Sequence, residues 1–458
     1  MNIIETFKYQ NPWRTNLQFQ IQPYFERAVT LEIAKWLHEP EIIVITGPRQ
    51  SGKTTILFKL IENLISNKVP AKSIFYFNCD DLGVRSIFKN IPDLVQFVNR
   101  MTEDSKPFLF IDEIQRVENP GLFLKQLYDL RLGYKILVSG SSSLEIRSKI
   151  KEYLTGRKIQ FIVFPFDFPE FLAASGNFTE LLKVQRHEIV SNFSHFDRIW
   201  GTALENSLKQ YLMFGGYPRQ LLTDLSDKKR VLIKEIFDSY INKDVTDFLR
   251  IENITGFNKL VQLVALTSGQ IINKSNLALN AGINYQTLEK YLQILQDTFV
   301  IETVHPFFSN KSKEIVKNPK IYFLDPGLYN HAVNNFNDIT FRADAGFLQE
   351  QFIFRGIKTI MGADFQLKFW RTKIGAEIDF IIEKGRQIIP VECKSLLKRP
   401  QLQSSALSFI KQYSPNLLLV ANTKLFSETK IANTKIVFLP YHWFHRLTPI
   451  YLEKIFSY

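Results

Sequence analysis

Three short stretches carry residue types whose spacing can do chemistry. The first, GPRQSGKT at residues 47–54, is G-x-x-x-x-G-K-T. In that pattern Gly47, Pro48, Arg49, Gln50, Ser51 and Gly52 form a loop whose backbone N–H groups wrap a β-phosphate. Lys53 reaches the β/γ-oxygens, Thr54 offers a hydroxyl to Mg²⁺, and Thr55 follows in the first turn of a helix whose positive end faces the anion. The second stretch, PFLFIDEIQ at residues 107–115, is an apolar run ending in two acids. Asp112 is placed to hold the Mg²⁺ shell, and Glu113 to polarise a water for in-line attack on a γ-phosphate. Acids also end apolar strands for no catalytic reason.

The third, GAEIDFIIEKGRQIIPVECKS at residues 375–395, sets Asp379 on one apolar run and Glu392 and Lys394 on the next. Alternation puts Glu392 and Lys394 on one face, Val391 and Cys393 on the other, and Asp379 opposite to Ile378 and Phe380. If the runs pair about a turn at residues 384–386, Asp379 and Glu392 approach and can share Mg²⁺. Lys394 then orients the metal-bound water or offsets charge on the phosphorane. Glu350, in GFLQEQF, is a possible third acid, and Trp370 and Arg371 lie one strand earlier. The same residues also make an ordinary hairpin with its charged edge in water.

Two weaker features lie near the first pair. Ser139, Gly140, Ser141 and Ser142 end a strand where a γ-phosphate sensor would sit, or form a serine-rich turn. Arg157, just before a strand, either stabilises transition-state charge in its own subunit or a neighbour, or pairs with a surface carboxylate.

These residues need elements to hold them. EIIVIT, SIFYFNC, PFLFID, YKILVSG and QFIVFPF read as buried strands, separated by segments of helical apolar spacing. That alternation implies a parallel sheet covered on both faces, an α/β domain over residues 1–168. Residues 169–255 read as a helical lid or linker, broken at GGYPR. Residues 256–325 read as helix-turn-helix plus hairpin, a winged-helix plan, with Asn284 as N-cap. There Asn284, Tyr285, Gln286 and Lys290 can enter a major groove, and Lys311, Lys313 and Lys317 can touch phosphates. Residues 326–458 return to an α+β pattern.

The bulk composition bounds the function class. With 458 residues, 45% apolar and 22% charged, the chain is a multidomain globular protein. A net charge of +12 favours a polyanionic partner. Two cysteines, Cys79 and Cys393, argue against a disulfide framework or a zinc site. No apolar run reaches the ~18 residues of a membrane span, and the first ten residues lack a signal-peptide profile, so a cytoplasmic location is expected.

Taken in order, GPRQSGKTT, FLFIDEIQR, ILVSGSSS, LTGR, GGYPR, the KDV at 243–245, IYFLDPGL and EIDFII…PVECK resemble a bacterial and archaeal AAA+-superfamily ATPase family. That family is close to the signal-transducing STAND type. It joins a P-loop NTPase domain with a parallel sheet to a helical lid, a winged helix and a C-terminal α+β, PD-(D/E)XK restriction-endonuclease-like domain. The likeness runs from about residue 14 to near residue 420. It implies that Gly216, Tyr217 and Pro218 form the family's G-x-P element, whose proline packs near adenine. It also implies that Arg157 is the arginine after the sensor strand and that Glu350 is the helix glutamate of such nucleases. ATP and Mg²⁺ are the implied cofactors. DNA is the expected partner, no membrane association is expected, and a homo-oligomer through the ATPase domain is a possible assembly. The expectation is an Mg²⁺-dependent ATPase whose nucleotide state controls a nuclease-like domain. The alternative is a STAND-like switch, in which ATP changes assembly state, the winged helix relays it, and the C-terminal domain binds a partner without cutting nucleic acid.

Overall fold

The structure, a computed structural model, describes residues 3–16, 19–102, 104, 106–141, 153–239, 253–308, 314, 317–362 and 364–456. It divides into two compact units, one built mainly from residues 1–165, the other from 166–237, 251–296 and 300–458.

The first unit is organised by a five-stranded, all-parallel sheet. Its strands are β1 (Ile42–Gly47), β2 (Ile74–Asn78), β3 (Phe108–Asp112), β4 (Lys135–Ser141) and β5 (Lys158–Ile162), in the order β2-β3-β4-β1-β5. Side-chain alternation divides the strands between two apolar clusters. Ile42, Val44, Phe75, Phe77, Leu109, Ile111 and Val138 enter one. Ile43, Ile45, Ile74, Tyr76, Phe110 and Leu137 enter the other. Burial on both faces explains why these strands read as continuous apolar runs. The helix Lys53–Ser66 starts directly after the loop that leaves β1. It buries Ile56, Leu57, Leu60, Ile61 and Leu64, a helical spacing.

The second unit contains the helices Ile254–Leu266, Lys274–Ala281 and Tyr285–Asp297, followed by the hairpin of β6 (Ile301–Pro306) and β7 (Lys320–Phe323). Gly282 closes Lys274–Ala281 in the left-handed conformation at φ 69°, and Asn284 accepts the N–H of Thr287 at 2.8 Å, the expected cap. The hairpin is not a freestanding wing. β6 also pairs in parallel with β8 (Gln366–Arg371), His305 opposite Lys368 and Pro306 opposite Phe369. One eight-stranded sheet results, in which β9 (Glu377–Lys384), β10 (Gln387–Lys394), β11 (Leu417–Asn422), β12 (Ser427–Ile431) and β13 (Thr434–Pro440) complete the order β12-β13-β11-β10-β9-β8-β6-β7. This sheet runs across residue 325, where the sequence suggests a domain boundary. Helix Ala345–Ile360 packs Phe354 against Phe380 and Tyr322. Helix Ser404–Tyr413 packs Phe409 against Trp370, in the cluster that holds Ile378 and Ile381.

That last cluster corrects the simple alternation expected around Asp379. Lys368 pairs with Ile381 and Trp370 with Ile378, so Phe369 alone faces both Asp379 and Phe380. This is a β-bulge, which re-aims side chains and strengthens local twist. Asp379 sits on the bulge.

Candidate functional site

In the first unit the loop at residues 48–52 and the end of β3 meet at the carboxyl ends of the strands. Gly47 pairs with Ser141 in the sheet at φ 152°, and a Cβ there would overlap the carbonyl oxygen of Val163. Gly52 enters the helix in the left-handed region at φ 97°. The two motif glycines therefore have backbone reasons to be glycine. Gln50 and Glu113 also take positive φ, at 57° and 54°, uncommon for side-chain-bearing residues. Arg49 and Thr55 are half-buried beside them, and Pro48 is buried.

Lys53 is buried and donates to the carbonyls of Gly47 at 3.1 Å and Pro48 at 2.8 Å. Its ammonium lies over the phosphate loop. The Asp112 carboxylate, 2% exposed, gathers four donors. Oδ2 accepts the Thr54 hydroxyl at 2.7 Å and the Tyr76 hydroxyl at 2.8 Å. Oδ1 accepts the Glu113 N–H at 3.1 Å and the Ser139 hydroxyl. Glu113 accepts a hydrogen bond from Gln115. Burial raises the Glu113 pKa above the ordinary carboxylate range, against the pull of Lys53.

The donor set suits a hard divalent cation, since a hydroxyl and a buried carboxylate converge and Ser51 Oγ is buried with no hydrogen-bond partner among the described residues. Thr54 and Asp112 are the residues that would hold Mg²⁺, which would neutralise phosphate charge there. With a nucleotide bound, Lys53 would draw phosphate oxygens toward the loop, and Glu113, held by Gln115, would be the carboxylate available as a base for water.

Sequence reading missed three supports. Tyr76 alternates as a core residue of β2, and nothing local marks its hydroxyl as a donor to Asp112. Gln115 follows the acidic pair by two residues and orients Glu113. Arg27 donates to the Ser51 carbonyl at 2.9 Å and the Phe164 carbonyl at 2.8 Å, bracing the phosphate loop from outside the motif.

The polar group reaching Asp112 from β4 is Ser139. Ser141 contributes its backbone beside Gly47, and Ser142 lies outside the described residues. Arg157 precedes β5, whose Lys158 pairs with Ile42 at the start of β1. It therefore occupies the edge of the sheet opposite the phosphate loop, where it pairs with Asp129 at 3.0 Å, half-exposed. Within this unit the surface-carboxylate reading is the one its geometry matches.

In the second unit Pro218 opens the short helix Pro218–Leu221, and the Gly216 N–H donates to Asp325 at 2.8 Å. Asn284, Tyr285, Gln286, Lys290 and Lys317 are exposed, while Glu289 of the same helix pairs with Lys274 at 2.8 Å. Lys311, Lys313 and residues 243–245 lie outside the described residues.

The third sequence stretch comes together with residues that its pattern did not name. Asp379 Oδ2 accepts the Cys393 N–H at 2.7 Å, so the bulge turns this carboxylate toward β10. Glu392, 4% exposed, holds Lys394 at 2.5 Å through Oε1. Its Oε2 is buried with no hydrogen-bond partner among the described residues. Glu350 accepts the Tyr322 hydroxyl at 2.5 Å and lies 3.4 Å from the Lys320 ammonium. Lys320 also reaches Glu377 at 2.6 Å, whose other oxygen holds Arg371 at 3.1 Å. Burial pushes Glu350 up to about 7, with Lys320 pulling the other way. Burial also raises Glu392 to about 7, and Asp379 adds to the shift. Asp379 itself is raised, chiefly by burial. Among the described residues no three His, Cys, Asp or Glu side chains are arranged around one metal position. Trp370, expected near a phosphate path, is a core residue against Phe409 and Tyr413.

Residues 39–172 match the AAA domain family, and residues 205–339 and 345–443 match two domains of unknown function (DUF8612 and DUF4143). The first unit thus holds a P-loop ATPase domain of AAA type. An uncharacterized protein of Methanocaldococcus jannaschii is 27% identical over 358 residues, covering 77% of this chain and 74% of that protein. An uncharacterized protein of Haemophilus influenzae is 22% identical over 411 residues, covering 87% of this chain and 93% of its own. Among solved structures, the Aeropyrum pernix ORC1 protein in complex with DNA is 11% identical, covering 71% of this chain and 96% of that one, with a TM-score of 0.32. A STAND protein from Pyrococcus horikoshii is 11% identical, covering 74% and 46%, with a TM-score of 0.26. The fold assignment rests on residues 39–172 and the five-stranded sheet. No described helix is long and apolar enough to cross a membrane.

Proposed function

We propose that the chain is an Mg²⁺-dependent ATPase whose nucleotide state controls a C-terminal nuclease-like domain acting on DNA. The observation that carries the ATPase reading is the clasp between Thr54 and Asp112 at 2.7 Å, with Lys53 over the loop and Glu113 beside it. These groups supply what phosphoryl transfer needs: cation ligands, a positive charge on the phosphates and a base for water. The nuclease-like reading is supported by Asp379, Glu392 and Lys394 gathering at one end of β9 and β10 beside Glu350. A net charge of +12 is consistent with a nucleic-acid partner.

A second reading is favoured by one residue. Lys320 already pairs with both Glu350 and Glu377, as it would in a C-terminal domain that binds a partner without cutting. In this STAND-like switch ATP changes assembly state and no phosphodiester is cleaved.

The test is plasmid and branched DNA incubated with Mg²⁺ or Mn²⁺ and ATP. Under the first reading the wild type nicks or cuts, and Asp379→Ala or Lys394→Ala loses the cutting while retaining ATP turnover. If every DNA and RNA substrate stays intact, the nuclease reading is wrong and the switch stands.

A further inference from the structure

Lys320 is an unusual cation for its position. It lies on β7, the outer strand of the hairpin that follows the helix-turn-helix, yet its side chain, 3% exposed, ends among the carboxylates of the α+β region. Its backbone is fixed by pairing with Val304 on β6 and a bridge to Ile271. Two residues along the same strand, Tyr322 donates to the Glu350 oxygen that Lys320 approaches. The strand period of two thus sends an ammonium and a hydroxyl to one acid.

Formal charge makes this position consequential. Four carboxylates, Glu350, Glu377, Asp379 and Glu392, face three cations, Lys320, Lys394 and Arg371. With Lys320 in place no three acids among the described residues frame one metal position, and a divalent ion there would sit beside its ammonium as a like charge in a buried cluster. A second observation points to a cation: Glu392 Oε2 is buried and without a partner among the described residues.

We infer that Lys320 is the resident cation of this cluster, so that a divalent cation and the Lys320 ammonium compete for the same carboxylates. Occupancy of the cluster by metal is thereby linked to the position of the β6–β7 hairpin. The inference rests on the nuclease-like reading for the class of ion, but not on cleavage.

The experiment is Mn²⁺ binding to the full chain by electron paramagnetic resonance, without nucleotide or nucleic acid. Lys320→Met should bind Mn²⁺ at least about tenfold more tightly than wild type, the loss of one adjacent like charge. Lys320→Arg, which keeps the charge, should stay near wild type. Adding Asp379→Asn to Lys320→Met should remove the gain, which places the ion at this cluster and not at the phosphate loop. Lys320→Gln gives the same comparison if the methionine variant does not fold. Equal Mn²⁺ affinity in wild type and the neutral variants, including no binding by any of them, overturns the inference. Absence of DNA cleavage in all these proteins would instead sink the nuclease reading and leave the competition measurable.

Discussion

The hydroxyl of Thr54 donates to Oδ2 of Asp112 at 2.7 Å, although β4 lies between β3, which ends in Asp112, and β1, which leads into the helix of Thr54. This contact joins the phosphate loop to the acid that would share its cation. Tyr76 completes it from β2, donating to the same oxygen at 2.8 Å. Burial and Asp112 hold the tyrosine pKa far above neutrality, so the hydroxyl remains a donor.

Tyr76→Phe should therefore keep the fold, since the ring stays in its apolar cluster. It should raise the half-saturating Mg²⁺ concentration for ATP turnover on the order of 10- to 100-fold, as loss of an orienting partner does. A Mg²⁺ titration of steady-state hydrolysis reads this. An unchanged half-saturating concentration would mean that Tyr76 serves packing alone.

Glu113→Gln should leave ATP binding in place and lower kcat on the order of 10²- to 10⁴-fold, the usual loss of a positioned base. Burial raises the wild-type carboxyl, and a base must be ionised. Turnover should fall as pH drops through a pKa above the ordinary carboxylate range. A kcat–pH profile with its acid limb in the ordinary range assigns the base elsewhere.

Gly47→Ala should destabilise the first unit by about 3 kcal/mol, because the added methyl group overlaps the Val163 carbonyl and φ is 152°. The urea midpoint measures this. A near-normal midpoint would show that β1 and residue 163 can part without cost.

Asp325 accepts the N–H groups of Gly216 and Leu328, and burial pushes its pKa up to about 6 from an ordinary 3.8. A folded-state pKa above the unfolded one gives stability that is fully present below about pH 4 and lost as pH rises through about 6. The two limits differ by roughly 2–3 kcal/mol. Asp325→Asn should flatten that part of the stability–pH curve, followed by urea unfolding between pH 4 and 7. A parallel curve in the variant would assign the slope to other groups.

How much of this was legible depends on how local each signal is. The phosphate loop was legible because its glycines, lysine and threonine act through one strand–turn–helix geometry. Arg157 shows a signal present but underused. A residue just before a strand of a parallel sheet lies at the edge opposite the loop that follows a neighbouring parallel strand. Tyr76 could not be read, because a tyrosine in a buried strand looks the same whether or not its hydroxyl finds an acid. Asp379 was singled out from its place on an apolar run, but its bulge arises from how β8 pairs with β9, which no local pattern encodes. Lys320 was hidden for a related reason. It is remote in sequence from Glu350 and Glu377, and only the joining of β6 to β8 brings the hairpin to that cluster.

The most direct measurement is steady-state ATP hydrolysis by the wild type and Lys53→Ala, with and without Mg²⁺. The wild type is expected to turn over ATP only with the cation, and Lys53→Ala to show no turnover under either condition. Wild-type protein that neither binds nor hydrolyses ATP with Mg²⁺, or a Lys53→Ala variant as active as wild type, would contradict the assignment of the Thr54–Asp112 clasp to nucleotide hydrolysis.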